Sequence, residues 1–137
     1  MGKYYIDACI WRDYFEDRTD NFRPLGDWAF RFIKKIIQDE GAVICSDLVK
    51  NELSKEYSEE QITNIFSIVP SRLLIEIKIS PMQFKEAKSL AIQLGTPLKD
   101  TIHAVAARDK DAVLITRDKH FLDLAKIAIV KKPEDLI

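Results

Sequence analysis

Residues 100–121 read DTIHAVAARDKDAVLITRDKHF, and two different periodicities meet within this stretch. Its first part carries small and apolar residues at helical spacing, whereas AVLIT, residues 112–116, is a continuously apolar run typical of a strand that is covered on both faces. Asp118 follows this strand closely and precedes a second helical pattern. Taken alone, Asp118 is as consistent with a cap of that helix as with a functional carboxylate.

The same alternation of β-rich runs and longer helical patterns extends through the rest of the chain. The predicted strands are residues 3–7, 42–45, 73–79, 112–116 and 127–130. Helices are predicted over residues 29–40 and 58–69, over the segment bounded by Ser80 and Gly95, and from a cap at Thr96. Because parallel neighbours need helical crossovers, this order predicts a three-layer α/β fold with a mostly parallel sheet of five strands. We expect one domain over residues 1–137.

Composition excludes several classes of protein. The chain carries 21 basic and 22 acidic side chains, so no overall positive field gathers an anionic polymer and any nucleic-acid contact has to be local. Cys9 and Cys45 form no C-x-x-C pair, which predicts buried thiols in a reducing compartment. No apolar stretch approaches the roughly 18 residues that span a bilayer, and we find no secretory signal, so we expect a cytoplasmic protein without a membrane contact.

Four acidic residues from distant segments are predicted to lie at one edge of the sheet. They are Asp7 at the end of the first strand, Glu52 two turns into the helix after the second, Asp100 near the start of its helix, and Asp118. Ligands of open parallel sheets bind beyond the carboxyl ends of the strands, where loops and helix starts converge. Asp7 also has an interpretation as a turn or cap residue, and Glu52 as part of a solvated helix face.

Asp100 is harder to explain as an ordinary surface acid. Ala104 and Ala107 lie in line with it on a second helix face, which predicts close packing there, and His103 is the one nearby base on that face. If the four acids converge, carboxylates about 4 Å apart repel by on the order of 4 kcal/mol at an effective dielectric of about 20. Such a cluster has to take up protons or a cation. Oxygen ligands favour Mg²⁺ or Mn²⁺, which indicates metal-assisted phosphodiester hydrolysis.

These motifs resemble those of the PIN-domain nucleases, most closely the VapC-like ribonuclease toxins of toxin–antitoxin pairs. The family pattern is an Asp, a helix of small and apolar residues, an apolar strand, and then Thr-x-Asp-x-x-Phe. Its members here are Asp100, the strand 112–115, Thr116, Asp118 and Phe121. The resemblance implies a three-layer α/β/α PIN-like fold and a divalent-metal-dependent endoribonuclease.

The resemblance also assigns roles to individual residues. It implies one or two Mg²⁺ or Mn²⁺ ions held by the four acids, Asp7, Glu52, Asp100 and Asp118, with Thr116 bonded to a carboxylate or a water. Two positions depart from the family pattern. Ala8 stands where a Ser or Thr is usual, and His120 stands where a further Asp or Asn is common, so a fifth acidic ligand is missing.

The substrate and partners are less directly indicated. The basic residues that flank the acids in sequence and are candidates for contacting RNA phosphates are Arg12, Lys99, Arg108, Arg117 and Lys119. For each of them a solvated surface position is the simpler interpretation. The resemblance implies a small antitoxin partner and a homodimer. The alternative function is a catalytically inactive PIN-like domain that binds RNA or another protein, which the departures at Ala8 and His120 leave open.

Overall fold

The computed structural model describes residues 2–137 and contains, within them, five strands and seven α-helices. The strands are β1 (Lys3–Ile6), β2 (Ala42–Ser46), β3 (Leu74–Ile77), β4 (Val113–Ile115) and β5 (Val130–Lys131). The helices are α1 (Ala8–Glu16), α2 (Leu25–Gln38), α3 (Asp47–Ser54), α4 (Glu59–Phe66), α5 (Pro81–Leu94), α6 (Leu98–Asp109) and α7 (Phe121–Leu124). No helix among residues 2–137 is both long and apolar enough to cross a membrane.

The five strands form a single sheet in the order β3-β2-β1-β4-β5, and every pairing is parallel. Helices cover both of its faces, as neighbouring residues of β1 demonstrate. The ring of Tyr4 packs edge-on against Phe32 of α2, whereas the ring of Tyr5 lies 5.4 Å from His103 of α6. Because successive side chains of a strand point to opposite faces, α2 and α6 lie on opposite sides of the sheet. The predicted three-layer α/β fold is confirmed.

The core explains why the central strands are so apolar. Ile6 and Ile115 are fully buried on neighbouring strands, and Trp11 of α1 is fully buried with its ring 4.6 Å from that of Phe66. Each such apolar side chain contributes about 1.5–3 kcal/mol when it leaves water. This packing holds β1 and β4 side by side. It therefore fixes the relative positions of the residues that follow the two strands.

The helix boundaries follow the capping signals closely, with one exception. Ser58 and Ser80 form complete capping boxes, and Gly95 ends α5 in the left-handed conformation at φ 67°. The predicted cap at Thr96 is wrong: Pro97 precedes the first turn of α6, and the Thr96 hydroxyl lies 2.6 Å from that of Thr101. Because Pro97 already fixes an extended-to-helix transition, the helix starts without a side-chain cap.

Two further boundaries differ from the prediction. The helix predicted at 29–40 begins at Leu25, and the last strand is Val130–Lys131 instead of 127–130. The amide groups of Ile127 and Ala128 both donate to the carbonyl of Leu124, so a helical turn continues past α7. Only beyond this turn can the chain extend and pair with β4.

Candidate metal centre

Asp7 lies directly after β1, and both of its carboxylate oxygens are engaged. Oδ1 accepts from the backbone N–H of Ala8 at 2.7 Å, so Asp7 is the N-cap of α1 as well as a candidate site residue. Oδ2 accepts from the hydroxyl of Thr116 at 2.8 Å. The residue is only 9% exposed. The backbone and Thr116 therefore hold the carboxylate in one orientation, and Ala8 contributes through its amide although it lacks a hydroxyl.

Glu52, on the last turns of α3, is joined to the same region through His103 of α6. Nε2 of His103 donates to Oε1 of Glu52 at 2.5 Å and lies 3.7 Å from Oδ1 of Asp7. Burial opposes ionisation of Glu52, but the hydrogen bond and charge of His103 lower its pKa below the ordinary value. Burial likewise disfavours protonation of His103, while the bond to Glu52 and the charge of Asp7 raise its pKa. One buried base thus compensates two acids.

Asp100 and Asp118 form a pair without such compensation. Burial first, and then a hydrogen bond to Asp118 together with its charge and that of Asp7, raise the pKa of Asp100 to about 7. Asp118 is fixed by local bonds, since its Oδ1 accepts from the backbone N–H of His120 at 2.6 Å and its own N–H donates to Thr116 at 3.1 Å. Asp118 therefore closes a tight turn and does not cap α7, which has no side-chain cap.

The structure brings the four predicted acids together in two adjoining sets. In the first set, ligand atoms of Asp7, Glu52 and His103 lie within 4.8 Å of one another. In the second set, the same holds for Asp100, Asp118 and His120. The charge of Asp7 reaches Asp100, and the charge of Asp100 reaches His103, so the two sets form one acidic centre.

The donor chemistry fits a divalent cation. Burial and the neighbouring Asp118 raise the pKa of Asp100 to about 7, and a cation would replace the proton on Asp100. The ligand atoms are mainly carboxylate oxygens, which suit Mg²⁺ and Mn²⁺. His120 adds an imidazole at the position where a further acid was expected, and sequence reasoning had counted this departure only as a loss.

The basic residues predicted to contact phosphate do not share one role. The guanidinium of Arg117 pairs with Asp13 at 3.2 Å and with Glu134 at 2.7 Å, and its side chain is 14% exposed. Arg108 is also paired. It lies eight residues after Asp100 on α6, about 12 Å along the helix axis, where it pairs with Glu86 at 2.7 Å. Both guanidinium groups connect elements of the fold.

The remaining basic candidates lie nearer the acids. Arg12 forms an ion pair with Glu56 at 3.2 Å and donates to the backbone carbonyl of Glu52 at 3.3 Å. Lys99 is exposed and adjacent to Asp100, and Lys119 is exposed and adjacent to Asp118. Sequence reasoning missed Lys55, whose pKa is lowered by contact with the Lys99 ammonium. It lies three residues after Glu52, a spacing that places both on one helix face.

His103 is the more informative omission. Its burial could have been inferred from its place on a helix whose small residues required close packing, but not its hydrogen bond to Glu52. What no spacing indicated is the partner on its other side, the hydroxyl of Tyr5.

Comparisons with known proteins identify the fold and the family. The family model of the PIN domain matches residues 4–127. No curated protein matches the chain significantly in sequence. Among solved structures, the chain resembles VapBC2 from Rickettsia felis bound to a DNA fragment from its promoter, with a TM-score of 0.66, 20% identity, and coverage of 95% of this chain and 98% of that one. It also resembles a toxin–antitoxin complex from Klebsiella pneumoniae, with a TM-score of 0.63, 24% identity, and coverage of 95% and 97%.

A third similar structure is FitAcB from Neisseria gonorrhoeae, with a TM-score of 0.65, 14% identity, and coverage of 97% of this chain and 99% of that one. At such identities the likeness establishes the fold. The family model covers most of the chain, including β1, β4 and the segments that carry all four acids. The chain belongs to the PIN-domain family.

Proposed function

We propose that the protein is a divalent-metal-dependent endoribonuclease and the toxin of a toxin–antitoxin pair. The observation that carries this proposal is the uncompensated pair of Asp100 and Asp118, which lies beside the fixed carboxylate of Asp7 at the carboxyl edge of the sheet. Such a pair costs stability unless a proton or a cation lies between its members. Its retention in a PIN domain is therefore best explained by function.

The residues that would hold one or two Mg²⁺ or Mn²⁺ ions are the four acids Asp7, Glu52, Asp100 and Asp118, with His120 as a further ligand. Bound there, the metal supplies an activated water for attack on a phosphodiester and stabilises the leaving 3′ oxygen. A single ion would be shared by the two adjoining sets of ligands, whereas two ions would occupy one set each.

The chain's own residues prepare this chemistry. Thr116 donates to Asp7 and accepts from the backbone of Asp118, so one hydroxyl sets the spacing between the ends of β1 and β4. In the metal-free protein the pKa of Asp100 is about 7, so its carboxylate becomes available to a cation near neutral pH. These residues occupy fixed positions before any ligand arrives.

Contacts to RNA are assigned to the bases around the centre, the exposed Lys55, Lys99 and Lys119 and the partly buried Arg12. Lys55 and Lys99 carry like charges in contact, which disfavours their proximity unless an anion lies between them. A phosphate next to the scissile one provides such an anion. Because the net charge of the protein is −1, this local cluster has to supply most of the electrostatic attraction.

The role as a toxin draws on the similar structures. VapBC2 and the Klebsiella pneumoniae complex are toxin–antitoxin proteins by description, and by that analogy the partners proposed for this chain are a small antitoxin and a second copy of itself. Action on RNA in the cytoplasm is part of the same proposal and rests on the resemblance of the sequence motifs to the VapC-like ribonuclease toxins. A gene adjacent to this one that encodes a small co-purifying protein would support the assignment.

Cleavage of a labelled single-stranded RNA tests the proposed activity. Wild type is incubated with Mn²⁺ and with EDTA, beside Asp7→Asn and Asp118→Asn, and beside Asp39→Asn as a matched control at an exposed position on α2's end. We expect cleavage by wild type and by Asp39→Asn with Mn²⁺ only. Equal cleavage by all four proteins would refute the metal site. RNA binding without cleavage in wild type would instead favour the inactive binding module.

A further inference from the structure

We propose that His103 is a positioning residue, which holds Glu52 toward the metal site and is not itself a metal ligand. The inference rests on the proposed function, because it presupposes that Glu52 binds a cation. It distinguishes the two histidines of the acidic centre, each of which has a nitrogen within 4.8 Å of two carboxylates. By distance alone, His103 and His120 are equal candidates for metal binding.

The hydrogen bonds of His103 decide against coordination. Nε2 lies 2.5 Å from Oε1 of Glu52, and Nδ1 lies 2.6 Å from the hydroxyl of Tyr5. An ionised carboxylate only accepts hydrogen bonds, so Nε2 carries a hydrogen and has no lone pair to offer a metal. The ring is 2% exposed and has no room to turn away from both partners. Both ring nitrogens are therefore already committed.

The Tyr5 hydroxyl extends these bonds into the fold. It lies 2.6 Å from the hydroxyl of Ser46, which accepts from the backbone N–H of Val49 at 3.1 Å and is the N-cap of α3. Tyr5 and Ser46 are both fully buried. Since Glu52 lies on the same helix that Ser46 caps, the chain of bonds leaves α3 at its first turn and returns to it at Glu52.

This closed path joins β1, α6 and both ends of α3 through one imidazole. A glutamate has three side-chain torsions, and its rotamer freedom is lost when it binds a metal unless the fold has already fixed it. Outer-shell donors to ligating groups typically change metal affinity by about 10- to 100-fold. The arrangement at His103 has the features of such a donor: complete burial, a charged acceptor and a second anchor.

Two amide variants separate positioning from packing. Gln at position 103 places a donor nitrogen near the site of Nε2 and can still reach Glu52, whereas Asn is too short and reaches only toward Tyr5. We expect His103→Gln to bind Mn²⁺ within about threefold of wild type and His103→Asn to bind it about 10- to 100-fold more weakly. Binding is measured by the loss of the free Mn²⁺ signal in electron paramagnetic resonance, and the Tm of each metal-free variant is recorded beside it.

Pulsed electron paramagnetic resonance tests coordination without altering His103. In Mn²⁺-loaded His120→Asn we expect no coupling from a directly bound nitrogen. Persisting coupling would mean that His103 coordinates the metal, and would overturn the proposal. Equal Mn²⁺ affinity in wild type, His103→Gln and His103→Asn would also overturn it and would leave the proposed nuclease intact. Absence of Mn²⁺ binding by wild type would refute the proposed function and the positioning role together.

Discussion

The acidic centre has two halves, one formed by Asp7, Glu52 and His103 and the other by Asp100, Asp118 and His120. They differ in how the negative charge of their carboxylates is balanced. Asp7 and Glu52 are compensated within the fold, because the buried His103 donates to one and lies 3.7 Å from the other. Asp100 and Asp118 have no basic group hydrogen-bonded between them, and burial together with the closeness of Asp118 raises the pKa of Asp100 to about 7. In the first half the protein itself supplies a basic partner, the imidazole of His103. The second half requires a proton or a cation. We therefore expect the metal-free and metal-loaded proteins to differ mainly there.

The largest effect is expected from breaking the uncompensated half. Asp118→Asn should lower the rate of RNA cleavage by on the order of 1,000-fold, because loss of a direct ligand exceeds the 10- to 100-fold cost typical of an outer-shell partner. The measurement is single-turnover cleavage of a labelled RNA in Mn²⁺. Asp39→Asn is the control, since this exposed acid lies beyond the end of α2. A cleavage rate within threefold of wild type would show that Asp118 is not a ligand of the catalytic metal.

Arg117, the residue before Asp118, pairs with two acids, Asp13 and Glu134, so these acids are compensated within the fold. Arg117→Ala should destabilise the fold by about 3 kcal/mol, because it leaves Asp13 and Glu134 without the guanidinium that joins them. Denaturant unfolding of the protein without metal measures the change. Arg23→Ala, which removes an exposed ion pair with Asp20, is the control and should change stability by less than about 1 kcal/mol. Equal effects of the two variants would show that Arg117 is dispensable to the fold.

The pH dependence of stability tests the contribution of Asp100. The folded protein holds a proton on Asp100 up to about pH 7, whereas the unfolded chain releases it near 3.8. Between these values the folded state binds more protons, so the stability of the metal-free protein should fall as the pH rises. Asp100→Asn should weaken this dependence, leaving the part due to His103, whose raised pKa acts with the same sign, and should stabilise the protein at pH 7.5 by about 1–2 kcal/mol after allowance for solvent screening. Denaturant unfolding in EDTA across this range checks it, with Asp39→Asn as the control. A parallel decline in Asp100→Asn would assign the dependence to other groups.

Thr116 connects the halves, and its removal should have a moderate effect on each. Thr116→Val keeps the shape but removes the hydroxyl that donates to Asp7 and accepts from Asp118. We expect a loss of about 1–2 kcal/mol in unfolding free energy, and a reduction in cleavage of about tenfold. Thr19→Val, at an exposed position, is the matched control. Unchanged cleavage in Thr116→Val would mean that the backbone alone sets the spacing of β1 and β4.

The smallest effect is expected at the basic edge. Lys55→Ala combined with Lys99→Ala should weaken RNA binding by about three- to tenfold and reduce its dependence on salt, because each phosphate contact releases counterions. Binding is measured across a salt series in Ca²⁺ or EDTA, where cleavage is suppressed. Lys34→Ala, exposed on α2, should leave the salt dependence unchanged. If RNA binding by the double variant depends on salt as strongly as binding by wild type, the phosphate contacts lie at other residues.

The strands and helices could be predicted from the sequence for one reason, and the acidic edge for another. Continuous apolar runs and capping motifs are local signals, and they located the strands and the helices bounded by Ser58 and Ser80. The convergence of Asp7, Glu52, Asp100 and Asp118 required only the rule that parallel strands share a carboxyl edge. The pairing of each charge depends on partners far along the chain, which no spacing reveals.

Two arginines illustrate that limit. Arg117 is adjacent to Asp118 and Arg108 lies on the helix of Asp100, yet their guanidinium groups turn to Glu134 and Glu86 instead of the site. A flanking position in sequence says little about the direction of a long side chain. The role of Tyr5 could not be predicted, because packing alone explains an aromatic residue in a buried strand. Only the structure shows that its hydroxyl contacts His103.

Calorimetric titration of the protein with Mn²⁺ at about pH 6.5, in two buffers of different ionisation enthalpy, tests the central claim most directly. The uncompensated pair predicts that wild type binds Mn²⁺ and releases a proton from Asp100 as it does so. Asp100→Asn should bind more weakly and release none. Binding by both proteins with the same affinity and the same proton release, or no binding by wild type, would contradict the account.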